Sequence, residues 1–276
     1  MKNILVVEDD QATRLFLTAT LKTAGFRVTA APDGAAALKK LRAGSFDLLL
    51  TDIWMPKMNG LELLARLRNE PAKAKVVVMT SDDTPETLLR AVREQAYQYL
   101  TKPVDPKALI MLVTDALAAK PEAPPIEVIS ARPDWVELLV PCDLPTAQRI
   151  QAFMEKLKTG LSPEAQESVA MAFRELLSNA VEWGGKLDPN RKVRIAYLRF
   201  EKMLIYRIAD PGPGFRLAEL KHAAVSNPED QPFKHMETRD ELGLRPGGLG
   251  ILMTRNLVDE LIYNEAGNEV VFVKYL

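Results

Sequence analysis

Carboxylate, hydroxyl and ammonium groups stand in a fixed order at the ends of apolar runs in the first half of the chain. They are Glu8-Asp9-Asp10, then Thr51-Asp52, then Thr80, then Lys102-Pro103. A carboxylate is a poor nucleophile toward a phosphoryl donor until a divalent cation neutralises the charge around the transferring group. Glu8, Asp9 and Asp52, at the ends of neighbouring strands, would form the oxygen-rich site that Mg²⁺ requires. Asp52 is then the nucleophile and phosphoacceptor. Lys102 supplies a fixed positive charge for the phosphoryl oxygens, and Thr80 a hydroxyl to hydrogen-bond one of them. Asp10 is set apart as a helix N-terminal acid favoured by the dipole.

The second half holds a different set. Glu175 and Asn179 are one helical turn apart and project from one face. The amide oxygen can ligate Mg²⁺ on a triphosphate, and the carboxylate can orient or deprotonate an attacking hydroxyl. Asp210 ends a strand before Gly212 and Gly214, which let backbone approach a flat ligand, and its carboxylate can accept from an exocyclic amine such as adenine's. Gly247, Gly248 and Gly250 open a helix whose bare N–H groups favour phosphate. Any one of these residues alone is ordinary for a loop or helix surface; their order and spacing are not.

Positioning these groups needs two kinds of layer. Residues 1–119 alternate short apolar runs (Ile4–Val7, Phe26–Ala30, Phe46–Leu50, Val76–Met79, Tyr97–Leu100) with amphipathic stretches, which predicts a parallel sheet covered by helices on both faces, with ligands at its switch point. Residues 120–129, containing Pro121, Pro124 and Pro125, read as a stiff linker. From 130 to 276 the pattern predicts a strand at Trp135–Val140 and helices from Leu144 to Thr159 and from Ser162-Pro163 to Gly184-Gly185. Strands follow at Val193–Phe200 and Met203–Ala209, then an irregular stretch from Phe215 to Pro246. A helix opening at Gly248 and strands at Leu261–Tyr263 and Glu269–Tyr275 complete the expectation.

The 276 residues suit about two domains. A net charge of −1 gives no bulk attraction to nucleic acid or anionic membrane. The single cysteine, Cys142, excludes an intramolecular disulfide and reads as an inert strand-end residue. The acidic start is unlike a secretory signal, and no apolar run approaches the ~20 residues that span a bilayer. The expectation is a cytoplasmic protein that binds neither membrane nor nucleic acid directly.

Residues 1–119 resemble the response-regulator receiver domain, the CheY-like family. Val-Val-Glu8-Asp9 corresponds to its acidic pair, Thr-Asp52-Ile-Trp-Met-Pro56-Lys-Met-Asn-Gly60 to its phosphoacceptor loop, Met-Thr80-Ser to its switch hydroxyl, and Tyr99-Leu-Thr-Lys102-Pro103 to its switch aromatic and lysine. The resemblance implies a doubly wound (βα)5 flavodoxin-like fold, and Mg²⁺ held by Glu8, Asp9, Asp52 and the backbone carbonyl of Trp54. It also implies a cis Lys102-Pro103 peptide and an upstream histidine kinase or phosphotransfer protein as donor. Glu8 stands where Asp is commoner, which routes part of the metal contact through water.

Residues 130–276 resemble the GHKL (Bergerat) ATPase fold shared by gyrase, histidine kinases and MutL, an α/β two-layer sandwich. The entry elements and the block from Met236 to Ile251 are most similar to the anti-sigma-factor serine/threonine kinases. That resemblance implies ATP and Mg²⁺ as cofactors, Glu175 as catalytic base, Asn179 on the metal, Asp210 on adenine, and Phe215–Pro246 as the ATP lid. Relatives commonly carry His where Trp183 stands, so Trp183 bears on turnover more than on ATP binding.

Together these readings give a two-component response regulator whose Asp52 phosphorylation controls an ATP-dependent serine/threonine protein kinase in a partner-switching pathway. Its expected partners are a STAS-type anti-anti-sigma protein and a sigma factor, with a homodimer as a compatible assembly. Two alternatives are a non-catalytic ATP-dependent binding switch, which would not require Glu175, and an orphan fragment of a hybrid histidine kinase. The last needs a phosphoacceptor histidine before the ATP domain, whereas His222 and His235 both fall in the lid.

Overall fold

The computed structural model describes residues 1–67, 74–81, 84–118, 125–155, 157, 160–216, 224, 227, 231, 233–241 and 248–276. The chain divides into two compact units, Met1–Glu122 and Ala123–Leu276.

In the first unit strands and helices alternate: β1 (Asn3–Val7), α1 (Gln11–Thr23), β2 (Arg27–Ala31), α2 (Gly34–Ala43), β3 (Leu48–Asp52), α3 (Gly60–Leu67), β4 (Lys75–Thr80), α4 (Pro85–Arg93), β5 (Gln98–Thr101) and α5 (Pro106–Ala118). All four strand pairings are parallel, in the order β2-β1-β3-β4-β5. Because side chains alternate across a strand, one sheet feeds two cores. Leu5, Val7, Leu49 and Val78 join the core under α2 and α3, while Ile4, Val6, Leu50, Val77 and Met79 join the one under α1 and α5. Each such buried side chain contributes about 1.5–3 kcal/mol, enough to fix the register. Helix starts are set by side-chain caps: Asp10 accepts from Thr13 N–H, and Asp33 accepts from Ala36 N–H. The chain reverses direction across the sheet between β1 and β3, and the carboxyl ends of those strands carry Glu8 and Asp52.

The second unit is a six-stranded antiparallel sheet with helices against one face. Its elements are β6 (Glu127–Arg132), β7 (Trp135–Pro141), α6 (Leu144–Met154), α7 (Pro163–Asn179), a π-helical turn (Ala180–Gly184), β8 (Lys192–Arg199), β9 (Met203–Ala209), α8 (Lys234–Glu241), α9 (Gly250–Leu257), β10 (Glu260–Tyr263) and β11 (Glu269–Tyr275), with strand order β10-β11-β9-β8-β7-β6. Alternate residues of the inner strands are buried, among them Leu138, Ile195, Tyr206 and Phe272. Tyr206 stacks on Phe272 at 4.7 Å between ring centroids and meets Phe173 of α7 at 5.9 Å. Ser162 caps α7 at Ala165 N–H with Pro163 in its first turn.

Four expectations change. The segment 120–129 is not wholly a linker, because β6 begins at Glu127 and pairs antiparallel with β7 from Glu127↔Leu139 to Arg132↔Trp135. It is an edge strand whose register shifts between Val128 and Ser130, which breaks the alternation a strand would show in sequence. The helix expected to reach Thr159 ends at Met154, with 156, 158 and 159 outside the described residues. The irregular Phe215–Pro246 stretch contains α8, whose composition lacks an apolar stripe. The helix expected to open at Gly248 starts at Gly250.

Candidate functional site

At the top of the first sheet, β1 and β3 deliver Glu8 and Asp52 side by side, and the loop after β5 brings Lys102 between them. Lys102 Nζ donates to Asp52 Oδ2 at 2.5 Å and to Glu8 Oε2 at 2.7 Å. Asp52 and Glu8 are buried and Asp9 is exposed. Ligand oxygens of Glu8, Asp9 and Asp52 all lie within 4.8 Å of one another. Three carboxylates thus face one ammonium. Burial pushes the Glu8 carboxyl above its ordinary range; the Lys102 hydrogen bond opposes this and the Asp52 charge adds to it. Burial alone would lower the Lys102 ammonium, but hydrogen bonds to Asp52 and Glu8 hold it raised. A surplus of closely spaced negative oxygen is what a hard divalent cation relieves, so the donor set fits Mg²⁺. Such a cation would offset negative charge at the site while Lys102 holds the Asp52 carboxylate.

The loop that follows β3 is fixed by close contacts. Trp54 N–H donates to Asp52 Oδ1 at 3.2 Å, which orients that carboxylate. Gly60 N–H donates to the Ile53 carbonyl at 2.9 Å, and a Cβ on Gly60 would stand 2.1 Å from the Asp52 carbonyl oxygen. Lys57 Nζ reaches Asp33 Oδ2 at 2.9 Å and ties the loop to the start of α2. Thr80 is fully buried at the end of β4, and its carbonyl accepts from Lys102 N–H at 2.8 Å. Tyr99 packs partly buried against the core under α2 and α3. The Lys102-Pro103 peptide is cis.

Sequence reasoning missed Arg14, whose Nη1 donates to the Glu8 carbonyl at 2.6 Å and the Asp9 carbonyl at 3.0 Å and pins the acidic loop. Its position one turn after the Asp10 cap was the available signal.

In the second unit, α7 presents Glu175 and Asn179 to the first residue of α9. A Cβ on Gly250 would meet Glu175 Oε2 at 2.6 Å and Asn179 Nδ2 at 3.9 Å. The π-helical turn, with Gly185 N–H donating to the Ala180 carbonyl at 2.8 Å, then carries Gly184 against Asp210. A Cβ on Gly184 would stand 2.1 Å from Asp210 Oδ1, and one on Gly212 would stand 2.7 Å from it. The half-buried Asp210 carboxylate accepts from Gly212 N–H at 2.7 Å. Burial raises its pKa against the opposing pull of that N–H and of Arg191. Gly214 has φ +79°, a conformation that favours glycine, and a Cβ there would strike the Ala266 carbonyl.

Glycines therefore bring backbone close to Glu175 and Asn179 at the start of α9 and to Asp210 at the end of β9, and this set of a carboxylate, an amide and a second acid fits a magnesium nucleotide. Gly248 has φ +93° and its carbonyl accepts from Ala224 N–H at 2.8 Å. Gly247, most of the expected lid and His222 lie outside the described residues. His235 is buried, with its N–H donating to Asn227 Oδ1 at 2.9 Å. Trp183 is 52% exposed within the π-helical turn. Burial pushes the Cys142 thiol up to about 11, in keeping with an inert residue. Among the described residues no helix is long and apolar enough to cross a membrane.

Comparison with known proteins separates the chain along the same line. The response regulator receiver domain model matches residues 4–114, and the histidine kinase-like ATPase domain model matches residues 140–274. The two-component response regulator ORR11 of Oryza sativa subsp. japonica is 35% identical over 119 residues, which cover 42% of this chain and 80% of that protein. The DNA-binding transcriptional regulator NtrC of Bradyrhizobium sp. (strain RP501 Parasponia) is 38% identical over 120 residues, 44% of this chain and 25% of that protein. The chain spans about a quarter of the length of NtrC and the other regulators that head the curated relatives it matches. Among solved structures, the response regulator TrrA of Thermotoga maritima in complex with Mg²⁺-BeF is 32% identical, covering 42% of this chain and 99% of that one with a TM-score of 0.39. CheY4 of Vibrio cholerae is 29% identical, covering 42% and 98% with a TM-score of 0.41. Over residues 4–114 the chain belongs to the response regulator receiver family, and over 140–274 it carries a histidine kinase-like ATPase domain.

Proposed function

We propose that phosphorylation of Asp52 controls an ATP-dependent serine/threonine protein kinase in the second unit, of the anti-sigma-factor type, acting in a partner-switching pathway. The observation that carries this reading is Glu175 on the same face as Asn179, both against the start of α9. A cradle that only bound nucleotide would need the amide but not the acid.

Asp52 attacks the phosphorus of a phosphohistidine or acyl phosphate, forming the acyl phosphate and releasing the donor's leaving group. In the second unit Glu175 accepts the proton of a serine or threonine hydroxyl as that oxygen attacks the γ-phosphorus, and ADP leaves. Mg²⁺ supplies charge neutralisation at both sites, held by Glu8, Asp9 and Asp52 in one and by Asn179 in the other. The substrate class is a small STAS-type anti-anti-sigma protein, with a sigma factor as second partner and a histidine kinase or phosphotransfer protein upstream. A histidine kinase acting on itself is disfavoured, since His235 is buried and held by Asn227.

A second reading, the non-catalytic binding switch, draws on the exposed Trp183 beside Gly184. One experiment separates them. The chain is incubated with labelled ATP and STAS-type proteins, with and without acetyl phosphate. Label on a serine or threonine of the partner, at a rate that changes when Asp52 is modified, supports the kinase. ATP binding with no transfer in either state supports the switch.

A further inference from the structure

The loop that carries Asp210 is held by two side chains that belong to none of the motifs above. Arg191 Nη2, just before β8, donates to the Pro211 carbonyl. That carbonyl and the Gly212 N–H belong to one planar peptide, and the N–H is the group that donates to Asp210 Oδ1 at 2.7 Å. The next carbonyl, of Gly212, accepts from Asn268 Nδ2 at 3.2 Å. Asn268 also accepts Asp210 N–H on its backbone carbonyl at 2.8 Å, and its Oδ1 accepts from Asn264 Nδ2 at 2.9 Å. The Pro211–Gly212 and Gly212–Pro213 peptides are thus clamped, one by the residue just before β8 and one from the β10–β11 hairpin. The hairpin is itself rigid, with Asn264 Oδ1 accepting from Gly267 N–H at 2.8 Å and Asn268 N–H at 3.1 Å.

We propose that Arg191 and Asn268 are positioning residues that give the pocket its preference for an adenine over a guanine nucleotide. The proposal rests on the reading of Asp210 as the base-contacting acid. A carboxylate accepts from the exocyclic amine of adenine and repels the carbonyl oxygen that guanine carries at the same place. That contrast is sharp only if the carboxylate is fixed to within about 0.5 Å. The clamp does this indirectly, by aiming the Gly212 N–H that orients Asp210. Freed peptides would let Asp210 swing, so ATP would lose a contact that GTP never made.

The test is calorimetric titration of the full chain with Mg·ATP and with Mg·GTP, beside thermal unfolding, for Arg191→Ala, Asn268→Ala and Asp210→Ala. The expected result for the first two is an ATP Kd raised about tenfold, with the GTP Kd moved by less than about twofold, so that the ATP/GTP preference narrows. A purely structural role would weaken both nucleotides together and leave the preference intact. Arg191→Lys, which keeps one donor, should recover part of the preference. Should Asn268→Ala fail to fold, Asn268→Asp keeps the size but sets an acceptor against the Gly212 carbonyl, and the same narrowing is expected. A parental preference in both clamp variants, with ATP binding lost in Asp210→Ala, overturns the positioning role and leaves the pocket standing. ATP binding unchanged in Asp210→Ala overturns the pocket reading and the clamp with it.

Discussion

Gly184 and Asp210 are packed so closely that a single added methyl would place carbon 2.1 Å from the carboxylate oxygen. No rotamer change of Gly184 can relieve this, and Asp210 is already bound to Gly212 N–H. Gly184→Ala should therefore displace Asp210 and cost about 1–3 kcal/mol of stability through overpacking. Nucleotide affinity should fall at least about tenfold. Calorimetry with Mg·ATP checks the second effect and thermal unfolding the first; parental affinity in this variant would detach Asp210 from the pocket.

Lys102 is the one cation seen between Glu8 and Asp52 among the described residues, and both acids are buried. Lys102→Ala leaves two adjacent carboxylates without their partner. Breaking a buried pair costs about 3–5 kcal/mol, and the 21% exposure of Lys102 puts the expectation at the lower end. Mg²⁺ should then raise the unfolding midpoint of the variant more than that of the parent, because the metal takes over the missing charge. Equal midpoints in the absence of Mg²⁺ would show that the acids do not depend on the lysine.

The receiver site was legible in sequence because each of its groups ends an apolar strand, and parallel pairing leaves little choice of register. Glu8, Asp52, Thr80 and Lys102 fall at strand ends that the sheet order brings to one edge. Only part of what stayed hidden depends on contacts between segments distant in sequence. Asn268 reaches Gly212 across 56 positions and leaves no local spacing, whereas Arg14 lies close to its partners but binds the carbonyls of Glu8 and Asp9, which call for no particular side chain there. The π-helical turn after Asn179 hid because Ala180–Gly184 has an ordinary helical composition, and the shift to longer hydrogen bonds has no residue signature. Strand β6 hid for a different reason: its bulge spoils the two-residue period, and its edge position needs only one partner.

Metal binding at Glu8 should be sensitive to pH. Burial raises its carboxyl pKa above the ordinary value, and Mg²⁺ needs the carboxylate, so the proton competes with the metal. Affinity for Mg²⁺ should be full at neutral pH and fall as pH drops through the raised Glu8 pKa, beginning above the range where an exposed glutamate titrates. Glu8→Asp, a shorter acid, should bind with a pH profile moved from that of the parent. Titrations with Mg²⁺ from neutral pH down through the ordinary carboxylate range decide it; the parental affinity and pH profile in Glu8→Gln would remove Glu8 from the metal site.

Glu175 and Asn179 face the same glycine, yet they should fail differently when changed. If Asn179 offers its amide to the metal on a triphosphate, as proposed, Asn179→Ala should raise the Kd for Mg·ATP and make binding less dependent on Mg²⁺. Glu175→Gln keeps the size and the contact at Gly250 while removing the base, so ATP should bind within about twofold of the parent and phosphoryl transfer should fall by about 10²–10⁴-fold. The loss should hold whether or not Asp52 is phosphorylated, since the base acts downstream of any signal from the receiver. Single-turnover transfer assays with saturating Mg·ATP separate the two effects. If Glu175→Gln transfers phosphate at the parental rate, the carboxylate is not the base, and the exposed Trp183 rim would be the next place to look for what governs turnover.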